Sequence, residues 1–238
     1  MMSAMNDDAS NMIDPMNGQI FSLPDADVQL LPNFLDAVTA ANTFARLHTQ
    51  IGWEQHRVRL FGRELDSPRL SCWIGDADAY YTYSRMQFEP RPWLPELANL
   101  RDRMALACAT NFNSVLCNLY RDGRDSMGLH SDDEPELGPA PIIASLSLGG
   151  VRRFRLRHKH DKSLALTLDL PPGSLLLMRG ATQKNYRHDL PKTTREVAAR
   201  INLTFRRIFN AGETRQERCL KTSARKSVAS SSRHPSLR

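Results

Sequence analysis

The spacing of apolar and polar residues changes character near residue 110. Before that point the strongest periods are helical. From Leu31 to Leu47, Phe34, Leu35, Val38, Ala41, Phe44, Ala45 and Leu47 are spaced to line one face of a helix, with Pro32 and Asp36 near its start. Leu94 to Ala109 predicts a second amphipathic helix, with Leu97, Leu100, Met104 and Ala107 on one side. Both read as packing elements. From Phe112 onward the pattern becomes that of strands: Phe112–Tyr120, Ile142–Leu148, Val151–Arg157, Leu164–Leu170, Ser174–Met178 and Ala199–Phe209 are short and separated by Gly/Pro turns. Many short strands of this kind predict a barrel or jelly roll, with the helices packed outside a double-sheet β-barrel. Both ends lack a period. Residues 1–18 are polar and are expected to be a disordered tail. Residues 211–238 are Ser- and Arg-rich and are expected to be a flexible basic tail. The folded domain is therefore placed at 19–210.

Composition adds three constraints. At 238 residues and 41% hydrophobic, the chain can bury the core of one sizeable domain. Cys72, Cys108, Cys117 and Cys219 are far apart, with no CxxC pair, so neither a zinc cluster nor a disulfide framework is suggested and a reducing compartment fits. No stretch approaches the ~18 apolar residues needed to cross a bilayer, and the early charges Asp7, Asp8 and Asp14 do not form a secretory signal. A soluble protein of the cytoplasm, or of the nucleus in a eukaryote, is expected, with no membrane partner and as a monomer.

The net charge of +6 conceals an uneven distribution. Residues 1–45 carry six Asp and no Lys or Arg, and residues 211–238 carry seven Lys and Arg against two Glu. The interval 46–210 thus holds a net +7, which suits a polyanion such as nucleic acid or anionic lipid as readily as it suits solubility alone.

The candidate chemistry lies in the strand-rich part. His130-Ser131-Asp132 sets a nitrogen and a carboxylate ligand two residues apart, on the same side of an extended segment. His188 follows 56 residues later. Two His and one carboxylate occupying one face of an octahedron, with the other positions open, form the arrangement of non-haem iron(II) oxygenases. The spacing alone is a weak signal, and His158-Lys159-His160 has equal superficial merit, although its charged setting reads as a solvated hairpin tip. The strand Arg200-Ile201-Asn202-Leu203-Thr204-Phe205-Arg206 strengthens the case. Arg200, Asn202, Thr204 and Arg206 share one face. Two guanidiniums facing a barrel interior are costly unless an anion meets them, and a dicarboxylate bound in bidentate fashion would do so. Asn118 and Tyr120 alternate onto one face of their strand, where they can hydrogen-bond an oxygen-rich cosubstrate.

NLYRDGRDSMGLHSDDE (118–134), ASLSLGG (144–150), GSLLLMRG (173–180), YRHDLPK (186–192) and ARINLTFRRI (199–208) together resemble the AlkB family of nucleic-acid dealkylases, over roughly residues 55–210. PRLSCWIGDADAYYTYS (68–84) extends the resemblance toward the branch that repairs alkylated DNA. The resemblance implies an α+β fold with a double-stranded β-helix (jelly-roll) core and flanking helices. It implies Fe(II) on His130, Asp132 and His188, with 2-oxoglutarate and O2 as cosubstrates. Arg200 would pair with the distal carboxylate of 2-oxoglutarate, and Asn118, Tyr120, Asn202 and Arg206 would complete that pocket. The implied activity is oxidative demethylation of 1-methyladenine and 3-methylcytosine in DNA, with formaldehyde released.

On the substrate side, the resemblance places Tyr81 and Tyr83 against the damaged base, Asp133 and Glu134 at its recognition, and Phe61 as a wedge in the space of a flipped base. Core packing remains the competing reading for the tyrosines and for Phe61, and a solvated acidic turn for Asp133 and Glu134. Arg152, Arg153, Arg155 and Arg157 lie on or near one strand, and the last three alternate with Phe154 and Leu156; a solvated surface is the default reading of this basic face, and the resemblance sets it near nucleic acid. Two departures bear on strand preference: Arg85 stands where many relatives have Gly, and the HKHDKS loop is shorter than in duplex-specialised relatives. Three other readings stay open: the same chemistry on methylated RNA, a metal-dependent hydrolase, and a catalytically silent binding module of the same fold.

Overall fold

The structure is a computed structural model, and it describes residues 18–60, 63–83 and 86–209. Both predicted tails (apart from Gly18), Phe61 and Arg85 lie outside the described residues. In chain order the elements are β1 (Gln19–Phe21), β2 (Asp27–Leu31), α1 (Ala37–Gln50), β3 (Arg57–Leu60), β4 (Arg63–Asp66), β5 (Leu70–Gly75), β6 (Tyr81–Tyr83) and β7 (Met86–Phe88). Then come α2 (Pro95–Cys108), β8 (Ser114–Tyr120), β9 (Met127–His130), β10 (Ile143–Gly149), β11 (Arg152–His158) and β12 (Ala165–Leu170). The order closes with β13 (Leu175–Arg179), α3 (Thr182–Asn185), β14 (Tyr186–Leu190) and β15 (Arg200–Arg206).

Two antiparallel sheets form the frame. The larger has the order β1-β2-β13-β10-β15-β8-β5, and the smaller β12-β11-β14-β9. β3–β4 and β6–β7 are separate hairpins. The period-two patterning explains the layering. On β15, Ile201, Leu203 and Phe205 face outward into a core shared with Ala40 and Leu47 of α1 and Leu97, Leu100 and Met104 of α2. Between the sheets lies a second apolar cluster, built on Val28, Ile143, Phe154, Leu156, Leu176, Met178 and Tyr186. The jelly roll with flanking helices predicted from the sequence is thus the observed architecture.

The first helix departs from its predicted face. It begins only after Asp36, whose carboxylate caps it by accepting from the Thr39 N–H at 2.9 Å. Phe34 and Leu35 are buried but precede the helix, so they do not set its phase. The buried side is Ala40, Thr43 and Leu47, while Val38, Ala41 and Ala45 face solvent. Gly173 explains the close fit beneath this junction. It has φ +80° and accepts from the Leu35 N–H at 3.0 Å, and a Cβ there would stand 2.3 Å from the Leu35 carbonyl oxygen. The second helix keeps its predicted face, with Leu97, Leu100 and Met104 buried and Cys108 added at its end. Among the described residues no helix is long and apolar enough to cross a membrane.

Candidate active site

The two sheets bring distant residues together through register. β9 ends at His130, and β14 pairs with it so that His188 lies directly across, the ring centroids 4.2 Å apart. A register irregularity follows His188 on β14. Asp132 lies two residues past the end of β9, and its carboxylate turns back toward both imidazoles. His130 Nε2 is 3.9 Å from Asp132 Oδ1 and His188 Nε2 is 3.8 Å from Asp132 Oδ2. One ligand atom from each residue lies within 4.8 Å of the others. The Nδ1 of His130 is 2.8 Å from the Gly128 carbonyl, which leaves Nε2 to face the cleft.

The charges are arranged for a cation. Burial pushes Asp132 upward, but Arg206, His188 and His130 outweigh that, so its carboxyl is held below the usual carboxylate range. Arg206 donates to Asp132 Oδ1 at 2.6 Å, whereas Asp132 Oδ2 is buried without a hydrogen-bond partner. Burial, with neighbouring His130, pushes His188 down to about 3 despite the opposing pull of Asp132, so its imidazole is neutral at physiological pH. A neutral imidazole, an ionised carboxylate and an orphaned carboxylate oxygen are what a divalent ion requires. The residues present fit an iron ion.

Beside them the polar face of β15 meets β8 and β10. Arg200 pairs with Tyr120 and Asn202 with Asn118 across β8, and Asn202 faces Ser147 across β10. Asn118, Tyr120, Asn202, Thr204 and Arg206 line a cleft that also holds the triad and encloses about 430 Å³ of empty space, part of it open to solvent. Arg200 is 1% exposed and stands behind Tyr120, its Cζ 5.4 Å from that ring's centroid. It donates to Ser147 Oγ at 2.9 Å, while its Nε and Nη1 have no hydrogen-bond partner. Burial lowers it to about 10, which still leaves it charged at neutral pH. A buried cation with two unused donors fits a carboxylate. For Arg206 the fold itself supplies an anion, Asp132, where the sequence pattern suggests only a dicarboxylate.

The substrate-side positions are placed less completely. Tyr81 and Tyr83 lie on β6, in the hairpin with β7. Asp133 is exposed at the end of the metal turn, and Glu134 precedes the 3-10 turn Pro135–Leu137. His158 ends β11 and Lys159 and His160 begin the β11–β12 turn; His160 is exposed as the charged setting predicts, whereas Lys159 is half-buried and turns back toward Asp133 and Gln183.

Several residues escape sequence reasoning. Ser145 and Ser147 hold Asn202 and Arg200, and their alternation inside ASLSL is a readable signal. Arg69 donates to Asn118 Oδ1 at 2.9 Å, and Arg152 lies buried, donating to the Asp122, Asp125 and Pro191 carbonyls. Arg69 has no local signature, and Arg152 reads in the sequence as one of the surface arginines of its strand, whereas its guanidinium is buried on main-chain carbonyls.

A jelly roll that carries two histidines and a carboxylate on one face, beside a buried arginine, has the build of a non-haem iron oxygenase that uses a 2-oxo acid. The chain belongs to the 2OG-Fe(II) oxygenase superfamily, whose model matches residues 27–206. Over 191 residues it is 40% identical to the alpha-ketoglutarate-dependent dioxygenase alkB homolog 3 of Bos taurus, covering 76% of this chain and 66% of that protein. It is 42% identical over 160 residues to the DNA oxidative demethylase ALKBH2 of Mus musculus, covering 64% of this chain and 67% of that protein. The chain thus spans just under two thirds of the length of the alkB homolog 3 relatives. Among solved structures, OsALKBH1 matches with a TM-score of 0.55 at 18% identity, covering 80% of this chain and 99% of that one. That likeness bears on the fold alone.

Proposed function

We propose that this protein is an iron(II)- and 2-oxoglutarate-dependent dioxygenase that demethylates N-alkylated bases in DNA, with 1-methyladenine and 3-methylcytosine as substrates. The observation that carries the proposal is the nearness of two unmet demands: a buried carboxylate oxygen between two imidazoles in the cleft, and, behind the cleft-lining Tyr120, a buried guanidinium with two nitrogens that lack a hydrogen-bond partner. A hydrolase would leave the second unexplained. The names of the relatives, an alpha-ketoglutarate-dependent dioxygenase and a DNA oxidative demethylase, support the reaction and the substrate.

In this reading His130, Asp132 and His188 hold the iron. When bound, iron with 2-oxoglutarate and O2 supplies the oxidant that hydroxylates the N-methyl group, which then leaves as formaldehyde. The protein's part is placement. Arg200 neutralises the distal carboxylate of the cosubstrate, and Asn118, Tyr120, Asn202 and Arg206 orient its remaining oxygens. Arg206 also keeps Asp132 ionised, so no proton has to leave that carboxyl before metal binds. Tyr81 and Tyr83 flank the base, Asp133 and Glu134 favour a cationic alkylated base over a neutral one, and Phe61 fills the stack it leaves.

Nucleic acid as the partner is supported by a groove outside the cleft, lined by Arg152, Arg153, Arg155, Lys192 and Arg195 with Asp169 as its acid. Monomeric action in the cytoplasm, or in the nucleus of a eukaryote, belongs to the same proposal.

The test is formaldehyde release from a DNA oligonucleotide carrying 1-methyladenine or 3-methylcytosine, with a matched RNA alongside. Release that requires both iron and 2-oxoglutarate, and that disappears in His130→Ala, is expected. Turnover without 2-oxoglutarate would sink the proposal, and a clear preference for the RNA would move the substrate.

A further inference from the structure

The stretch His130–Asp133 carries two of the three proposed ligands, yet regular structure ends at His130. Beyond a strand end, a backbone keeps its place only through what it touches. Here the contacts converge on one short piece of chain. Ser131 Oγ donates to the Tyr186 carbonyl at 2.8 Å. The Asp132 N–H donates to Gln183 Oε1 at 2.9 Å. Lys159 Nζ donates both to Asp133 Oδ2 and to the Gln183 carbonyl, each at 3.0 Å. Gln183 lies in α3 and Tyr186 begins β14, so the tether leads to His188, five positions after Gln183.

Gln183 is the centre of this arrangement. It is 1% exposed, and its amide nitrogen Nε2 meets only a weak acceptor, Met178 Sδ, at 3.5 Å among the described residues. Burying an amide is costly, and a methionine or leucine would fill the same space without that cost. What the amide alone provides is an acceptor aimed at the main chain of a ligand residue. With Arg206 on Oδ1 and Gln183 on the N–H, Asp132 is gripped at both ends and presents Oδ2 to the cleft.

We infer that Gln183 is a positioning residue of the metal site: its side-chain carbonyl fixes the Asp132 backbone against the segment that carries His188, so that the three ligands are set before the ion arrives. The inference rests on the reading of His130, Asp132 and His188 as a metal site. A ligand that must be ordered during binding weakens the affinity, and outer partners of ligand residues commonly contribute 10- to 100-fold.

The experiment is a Co(II) titration of the full metal-free chain, followed by the visible absorption of the bound ion and needing no turnover. Gln183→Met, which keeps the length and loses the acceptor, is expected to bind Co(II) about tenfold more weakly, with altered bands. Gln183→Glu, which keeps an oxygen at the same reach, is expected to recover the affinity and the wild-type bands. The bands report ligand geometry, so their return separates positioning from the effect of added charge. Unchanged Co(II) affinity in Gln183→Met, or a merely lowered melting temperature with wild-type bands, overturns the inference. So does a failure of Gln183→Glu to recover. Equal Co(II) binding by wild type and His188→Ala would instead remove the metal-site reading beneath it. If Gln183→Met does not fold, Gln183→Asn takes its place, still polar but one methylene short of the Asp132 N–H. It is expected to weaken Co(II) binding in the same way, and wild-type affinity in that variant overturns the inference equally.

Discussion

On the proposed function, Arg200 divides cosubstrate binding from metal chemistry. Its guanidinium is buried beside Tyr120 and Ser147 with Nε and Nη1 unpartnered, and its hydrogen bond goes to Ser147 rather than to the triad. Arg200→Met should therefore raise the KM for 2-oxoglutarate about 10- to 100-fold, the worth of a charged hydrogen-bond pair, while Co(II) affinity stays within about twofold. Arg200→Lys should fall between, since an ammonium keeps the charge and loses the planar fork. Equal losses of cosubstrate and metal binding would mean that Arg200 supports the fold rather than the ligand.

His188 makes a second prediction at the same scale. In the unfolded chain a histidine takes up a proton near pH 6.5, but burial beside His130 delays that in the folded protein to about pH 3. Between these values the unfolded state binds more protons, so this residue makes the metal-free protein less stable as the pH falls from about 6.5 toward 3. Above about 6.5 its contribution is flat. Melting temperatures across this range should fall less steeply in His188→Gln than in wild type, and parallel curves would refute the assignment.

Elements set the precision of the site. The triad depends on strand register: His188 faces His130 only because β14 pairs with β9 at that position. A one-residue slip would turn His188 to the other face. The outer helices act on the site through the core they cover, and α1 depends on its cap for its start. Asp36→Ala removes the acceptor for the Thr39 N–H and should lower the melting temperature by about 3 °C, whereas Asp36→Ser should lower it less. Calorimetry of the two variants decides this, and no difference between them would show that the cap is not what starts the helix. The alternation of β15 was readable to the residue, because one face is apolar and the other polar along its whole length. The phase of α1 was not, because Phe34 and Leu35 are buried just outside the helix and carry the same apolar signal as residues within it.

At the scale of the whole molecule the distribution of charge has a consequence. Lys192 and Arg195 are exposed on the groove next to β11, whereas Arg152 is buried and Arg155 is paired with Asp189. On the proposed nucleic-acid role, the exposed pair would meet phosphate, and each contact with a single strand contributes about 0.7 to the salt slope. Replacing Lys192 and Arg195 together by Ala should lower the slope of log K against log salt by about 1 to 2 for a methylated oligonucleotide, with 2-oxoglutarate binding unchanged. An unaltered slope would place the nucleic acid elsewhere on the surface.

Local patterning carried the fold class and the strands β8, β10, β11, β12, β13 and β15, because period-two alternation and the polar face of β15 are properties of neighbouring residues, but it did not mark β9 and β14, the short strands that carry His130 and His188, which stood out only through the AlkB-like motifs. Those motifs were legible because they too are runs of neighbouring residues. Only the tertiary structure decided which polar groups meet. Arg206 lies 74 positions from Asp132 and Gln183 lies 51 positions from it, and no spacing rule joins residues so far apart. Sheet pairing joins them, and the low-dielectric interior then makes each pairing consequential, since a buried charge or amide must find its partner wherever the chain has brought one.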